Sequence, residues 1–300
     1  MKTYLPADVP AQNEKDFLDN FQKATGGSGR LMLFAGDQKV EHLNDDFYGH
    51  DIPLKDNDPE HLFKIASQAN IGVFATQFGL ISCYGRDYTD IPYLVKLNAK
   101  TNLIPYEEKD PYSQLWFEVE DIVRFQESSE LNILGVGYTL YLGSEHEHAM
   151  LREAARVVHE AHLNGMIAVL WIYPKGIYVS DQHDRHLIAG AAGVGAALGA
   201  DFVKLKVPYV NGNFDVEGLK EVTAAAGRSG ILCEGGEKRD EKAFLEELYT
   251  QIHEGKSRGN GTGRNIHQRT VGEGIKMANA IYDITVKNAS VKDALNILEH

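Results

Sequence analysis

Only two of the 300 residues are cysteine, Cys83 and Cys233, and they stand far apart in the chain. A secreted chain of this length would usually carry more, so the usage points to a reducing compartment. No run of about 18 apolar residues is present, which leaves nothing to span a membrane as a helix. The N-terminal stretch lacks the apolar core of a signal peptide, and a cytoplasmic location is expected. Basic residues are outnumbered, 30 Lys and Arg against 43 Asp and Glu, for a formal net charge of −13. That balance argues against nucleic acid and against an anionic membrane surface as partners. It leaves room for a small anionic substrate, because a local cluster of Lys and Arg can override the global sign. Hydrophobic residues at 43% and charged residues at 24% exclude wholesale disorder. There is no P-loop, no Gly-x-Ser-x-Gly elbow and no Cys/His catalytic pairing.

What the chain does contain is an alternation. Short apolar runs fall at 31–36, ending on Asp37, and at 71–78, 93–98, 133–141, 166–173, 202–208 and 231–233, with a weaker run near 259–263. Several are rich in Val, Ile and aromatics, as strands are. Between them lie segments of helical period. Residues 145–164 carry Met150, Leu151, Ala154, Val157, Val158 and Ala161 as one stripe, and 240–254 carry Phe244, Leu245, Leu248 and Ile252. Segments 184–199 and 215–226 fit helices as well. Strand and helix alternating about eight times predict a parallel sheet, and the length suits a closed (β/α)8 TIM barrel. Residues 30–300 are assigned to this single catalytic domain. Residues 1–29 form an N-terminal helical extension ending in Gly26-Gly27-Ser28-Gly29. The run Gly193-Val194-Gly195-Ala196-Ala197-Leu198-Gly199 imitates a dinucleotide fingerprint, but it lies inside a helical segment and precedes a strand, the reverse of what that motif needs.

Active sites of such barrels form at the C-terminal ends of the strands. In Asp201-Phe202-Val203-Lys204-Leu205-Lys206-Val207-Pro208, alternation puts Phe202, Lys204 and Lys206 on one face. The apolar face should meet the helices, which sends both lysines into the barrel. Burial and a neighbouring ammonium lower a lysine pKa, and a neutral amine attacks carbonyls. A pair of structural lysines held by carboxylates is the competing reading. Trp171 and Tyr173 share a face at the end of the fifth run, where a tyrosine can move protons or serve as core. Asp37, at the end of the first run, suits orienting a substrate hydroxyl or capping the next element. Lys96, in the third run, suits balancing Asp37 or binding phosphate. Gly235-Gly236 and Gly263-Arg264 end the last two runs, where glycines can admit an anion to backbone N–H groups with Arg264 as a bidentate donor, or simply form ordinary left-handed turns. The histidines of His146-Glu147-His148 and His183-Asp184-Arg185-His186 match no strong metal spacing, and no metal is expected.

Taken in order, these residues resemble the archaeal-type class I fructose-1,6-bisphosphate aldolases, a Schiff-base family. The motifs are 36–42 (Gly-Asp-Gln-Lys-Val-Glu-His), 91–98, the 141–145 turn, Trp171-Ile172-Tyr173-Pro174, Gly199-Ala200-Asp201-Phe202-Val203-Lys204, Gly235-Gly236 and Gly263-Arg264-Asn265. The resemblance covers about Leu31 to Thr285. It implies a TIM barrel, a homo-oligomer and a sugar-phosphate substrate. It implies no cofactor beyond a covalent lysine. The Gly-Ala-Asp leader selects Lys204 over Lys206 as the Schiff-base lysine, with Tyr173 as the proton-transfer group and Asp37 as the active-site aspartate. Gly235, Gly236, Gly263 and Arg264 are then expected to hold one phosphate, with Lys175, Lys206, Lys96 and Trp171 completing the substrate site. Three departures stand out. Segment 255–262 is polar where the family has an apolar strand, Gln38-Lys39 replaces the usual Asp-His-Gly or Asp-Gln-Gly continuation, and Lys175 stands where archaeal members often have Arg. Sister Schiff-base enzymes acting on another phosphorylated ketose or dione, and a barrel that binds sugar phosphate without turnover, are the alternatives.

Overall fold

The computed structural model describes residues 4–299. Its barrel strands are β1 (Leu31–Ala35), β2 (Val73–Gln77), β3 (Tyr93–Lys96), β4 (Ile133–Leu142), β5 (Ile167–Pro174), β6 (Phe202–Leu205), β7 (Gly230–Glu234) and β8 (Gly259–Thr262). All neighbours pair parallel, and β8 pairs with β1 from Leu31 opposite Gly259 to Phe34 opposite Thr262, so the sheet closes. Strands covered on both faces need apolar residues on both, which is why most runs lack alternation. One set, including Leu33, Val73, Leu94, Val169, Phe202 and Leu232, fills the interior. The other, including Phe34, Val95, Val136, Ile172 and Val203, meets the helices.

The expected helices appear as Glu147–Leu163, Arg185–Ala197, Val216–Ala225 and Glu241–His253. The misleading glycine run is helix and packs on β6, since a Cβ at Gly195 would meet Val203 Cγ2 at 2.4 Å. The polar eighth run is nevertheless a buried strand. Asn260 donates to Thr285 Oγ1 at 2.8 Å and Thr262 donates to Asn260 Oδ1 at 2.9 Å, so its polar atoms are satisfied without water. Gly259 lies against β1 so closely that a Cβ would stand 1.9 Å from the Leu31 carbonyl oxygen.

The N-terminal extension joins the same interior. Its helix Glu14–Thr25 lays Phe17 and Phe21 across the bottom of the barrel, with Phe21 stacked on Phe202 at 5.5 Å. Burying each ring contributes about 2 kcal/mol by apolar area removed from water. The helix therefore plugs the bottom of the barrel interior. Among the described residues, no helix is long and apolar enough to cross a membrane.

Candidate active site

A cavity of about 240 Å³ opens at the C-terminal ends of the strands. Asp37 and Glu41 line it from the end of β1, Tyr141 from β4, and Trp171, Tyr173 and Lys175 from β5. Lys204 comes from β6 and Lys206 from just past its end, Gly235 and Gly236 follow β7, Gly261 lies on β8, and Gly263 and Arg264 follow it. Residues scattered over the sequence meet here because parallel strands all present the same end.

Lys204 is 8% exposed and rises from the barrel interior. Its Nζ donates to the Tyr173 hydroxyl at 3.0 Å. Gly261 makes room for it, since a Cβ there would stand 2.5 Å from Lys204 Cε. Burial pushes the Tyr173 phenol well above its ordinary pKa, and the carboxylates of Glu234, Glu41 and Asp37 add to the rise. At neutral pH the phenol keeps its proton beside the amine. A neutral hydroxyl at hydrogen-bond distance from the nitrogen can donate to, and recover a proton from, an oxygen attached to the reacting carbon.

Asp37 stands in the N-cap position of the helix Gln38–Glu41, yet its side chain makes no capping hydrogen bond. It turns instead toward Lys96, whose Nζ is 3.9 Å from Asp37 Oδ2. The capping alternative is thereby set aside. Lys96 is fully buried, donates to Thr139 Oγ1 and the Asn98 carbonyl, and does not line the cavity. Its position matches a counter-charge for Asp37 and offers no path to a substrate phosphate. Burial pushes Lys96 down to about 8, against the pull of Asp37 and Glu41, and the nearby Lys204 lowers it further. Trp171 lies between the two lysines, with Lys96 Nζ 4.6 Å and Lys204 Nζ 5.9 Å from its ring centre. Gly137 opens the interior for that ring, because a Cβ there would meet Trp171 Cζ3 at 2.6 Å.

Lys206 departs from the alternation. Strand β6 ends at Leu205, ahead of Pro208 and a two-stranded hairpin of Tyr209–Val210 with Asn213–Phe214, so Lys206 leaves the ladder at the cavity mouth and is only half-buried. It donates to Gln182 Oε1 at 3.0 Å. Lys175 stands beside it, with its pKa lowered by burial and by Lys206, against Glu41. On the opposite side lie Gly235, Gly236 and Gly263. The helix after Gly263 is a single turn, Arg264–His267, too short to add a strong helix dipole.

The comparisons agree with this geometry. A model of the family described as DeoC/LacD family aldolase matches residues 31–269. The chain belongs to the DeoC/LacD family of aldolases. A Methanocaldococcus jannaschii protein named fructose-bisphosphate aldolase/6-deoxy-5-ketofructose 1-phosphate synthase is 51% identical over 98% of this chain and 93% of its own length. A solved fructose-bisphosphate aldolase from Slackia heliotrinireducens superposes with a TM-score of 0.96 at 49% identity, covering 99% of this chain and 94% of that one. An archaeal fructose-1,6-bisphosphate aldolase, described with its catalytic lysine covalently bound to the carbinolamine intermediate, superposes at 0.76 with 28% identity over 90% of this chain and 99% of that one. These relatives place the aldolase in the archaeal-type class I, Schiff-base branch.

Sequence reasoning missed several residues that line the aldolase's cavity. Glu41 sits one helical turn after Asp37 and faces Tyr141, whose hydroxyl is 3.5 Å from Glu41 Oε1. Tyr141 stacks on Tyr173 with ring centres 6.4 Å apart. Alternation within β4 pairs Thr139 with Tyr141 and carried that signal. Glu234, ahead of Gly235, had none beyond its neighbours. The histidine clusters weighed for metal lie outside the cavity. His146 packs on Tyr112 and His186 pairs with Glu221. Among the described residues, no three His, Cys, Asp or Glu side chains are grouped to hold an ion.

Proposed function

We propose that this class I aldolase cleaves fructose 1,6-bisphosphate reversibly, through a Schiff base on Lys204, to dihydroxyacetone phosphate and glyceraldehyde 3-phosphate. The observation that carries the assignment of roles is the Lys204–Tyr173 contact of 3.0 Å inside a cavity with a glycine- and Arg-lined wall on one side and lysines on the other.

The Lys204 amine adds to the C2 carbonyl, and Tyr173 donates to the carbinolamine hydroxyl, which leaves as water. The resulting iminium is an electron sink. Loss of the C4 hydroxyl proton, returned to Tyr173, breaks the C3–C4 bond, and its electron pair becomes the enamine. Glyceraldehyde 3-phosphate departs, C3 takes the proton from Tyr173, and water, giving a proton back to Tyr173, hydrolyses the iminium to release dihydroxyacetone phosphate. Asp37, held by Lys96, is the acceptor for a substrate hydroxyl and faces the developing cation. The phosphate on C1, next to the attacked carbon, is assigned to Gly235, Gly236, Gly263 and Arg264, and Gly261 leaves room for the Lys204 stem. The phosphate on C6 then reaches Lys175 and Lys206. Trp171 forms the floor. Two free cysteines, Cys83 exposed and Cys233 buried, suit a cytoplasmic enzyme, and a homo-oligomer accords with the family.

Borohydride trapping tests this. Incubation with dihydroxyacetone phosphate followed by sodium borohydride should leave a stable mass adduct that maps to Lys204. An adduct on Lys206 would overturn the residue assignment. Binding of sugar phosphate without any adduct or turnover would favour a non-catalytic barrel.

A second activity has a specific observation behind it. The jannaschii relative's name includes synthesis of 6-deoxy-5-ketofructose 1-phosphate, a six-carbon product phosphorylated at C1 alone. The C1 end here is built from backbone and Arg264, whereas the C6 end relies on flexible lysine side chains. The same enamine can therefore add to an unphosphorylated 2-oxoaldehyde. Condensation of dihydroxyacetone phosphate with such an aldehyde, followed by mass, tests it.

A further inference from the structure

Two basic side chains that line the cavity, His42 and Arg264, share one carboxylate that does not itself reach it. Asp46 is buried in the turn after the helix Gln38–Glu41. Its Oδ2 accepts from His42 Nδ1 at 2.6 Å, and its Oδ1 lies 3.7 Å from Arg264 Nη1. Its own main-chain carbonyl accepts from Gln268 Nε2 at 2.7 Å, which ties the turn to the segment after β8. His42 and Arg264 both line the cavity, whereas Asp46 lies behind them and faces a separate surface pocket with Arg264, Lys238 and Gln268. Among the described residues, His42 Nε2 has no hydrogen-bond partner. The exposed Glu237, 3.8 Å from Arg264, is the only other carboxylate on that guanidinium among the described residues.

We propose that Asp46 is a positioning residue for phosphate recognition, holding Arg264 in place and orienting His42 so that both side chains face the C1 phosphate. The inference rests on the Schiff-base reading of the site. A carboxylate on Nδ1 fixes which nitrogen carries the inner proton and directs Nε2–H outward, as partners of this kind do for functional histidines. The groups that face His42 are Asp46 and Glu41 from its own segment and Arg264 from the end of β8, with His267 facing Asp46 from behind. The Asp46 hydrogen bond lifts His42 above its ordinary value, against burial and against Arg264. A free carboxylate so close would repel phosphate. Paired with His42 and Arg264, its charge is offset by both basic groups.

The test is Asp46→Asn, which keeps size and the main-chain link to Gln268. The KM for fructose 1,6-bisphosphate should rise about tenfold, the value of one charge-assisted contact, with kcat within about twofold. The alkaline rise of KM should move to lower pH, because His42 loses the partner that holds its proton. His42→Gln should abolish that rise, and adding Asp46→Asn to it should move the pH profile no further. Borohydride trapping with unphosphorylated dihydroxyacetone should be the same in wild type and variant. Equal losses with and without the phosphate would mean general damage and overturn the proposal, as would an unchanged KM and pH profile. An absent adduct in the wild type would sink the reading of the site itself, and with it the inference. A wild-type adduct with an unmoved Asp46→Asn would sink the inference alone.

Discussion

Two lysines rise inside the same barrel, both beside Trp171, and they are built for different work. Lys96 is sealed, 2% exposed, and held by the Asn98 carbonyl, Thr139 and Asp37. Lys204 is 8% exposed, faces the cavity, and has a tyrosine hydroxyl rather than a carboxylate at its nitrogen. A carboxylate beside an ammonium favours its charged, non-nucleophilic form and opposes the burial that pulls Lys96 down to about 8. A neutral phenol beside Lys204 leaves that nitrogen facing the cavity and is on hand to exchange a proton with the substrate. Burial of a lysine is thus not the signature of a Schiff-base residue. Access to a ligand and the nature of the partner decide it.

Breaking the comparison at its strongest point gives the largest effect. Lys204→Met should lose turnover and the borohydride adduct together, because Lys96 has no route to the substrate; normal cleavage by this variant would end the assignment. Tyr173→Phe should slow turnover by about 10² to 10⁴, the range of a general acid–base group, while Lys204 still forms an adduct with dihydroxyacetone phosphate on long incubation. If the adduct disappears with the hydroxyl, Tyr173 is needed for attack as well as for proton transfer.

Lys96→Met sharpens the contrast from the other side. It leaves Asp37 without its counter-charge and should cost about 3 kcal/mol in a denaturant melt. The adduct should still map to Lys204. The folded Lys96 value of about 8 lies below the ordinary 10.5, so between these values the unfolded chain binds more protons. Stability relative to Lys96→Met should rise with pH across that window. A flat difference would show that Lys96 is not the group titrating there. The smallest effect belongs to Lys206→Met, which should raise KM for fructose 1,6-bisphosphate roughly threefold, the scale of a partly exposed charge contact, and leave the adduct in place.

Much of this was readable from residues in order. The strand runs end on Asp37, Tyr173 and Gly235-Gly236, and a parallel barrel has only one end at which such residues can meet. The polar run 255–262 gave the weakest strand signal for a physical reason. Its strand is closed by hydrogen bonds from Asn260 to Thr285 and within the strand, partners that no local pattern announces. Lys206 was placed inside by alternation because the end of β6 at Leu205 depends on the turn that follows. Glu41, Tyr141 and His42 were legible only as neighbours of motif residues, since what gives them a role is the cavity they share.

The sequence by itself determined the repeating strand–helix order, the lysine on a strand face and the family motifs around it, because these follow from periodicity and residue chemistry along the chain. Only the tertiary structure decided which lysine meets the cavity, that Asp37 pairs with Lys96 instead of capping a helix, that the N-terminal helix plugs the bottom, and that Asp46 stands behind two basic side chains. Each depends on distances between segments far apart in the chain, and those distances are set by closure of the barrel.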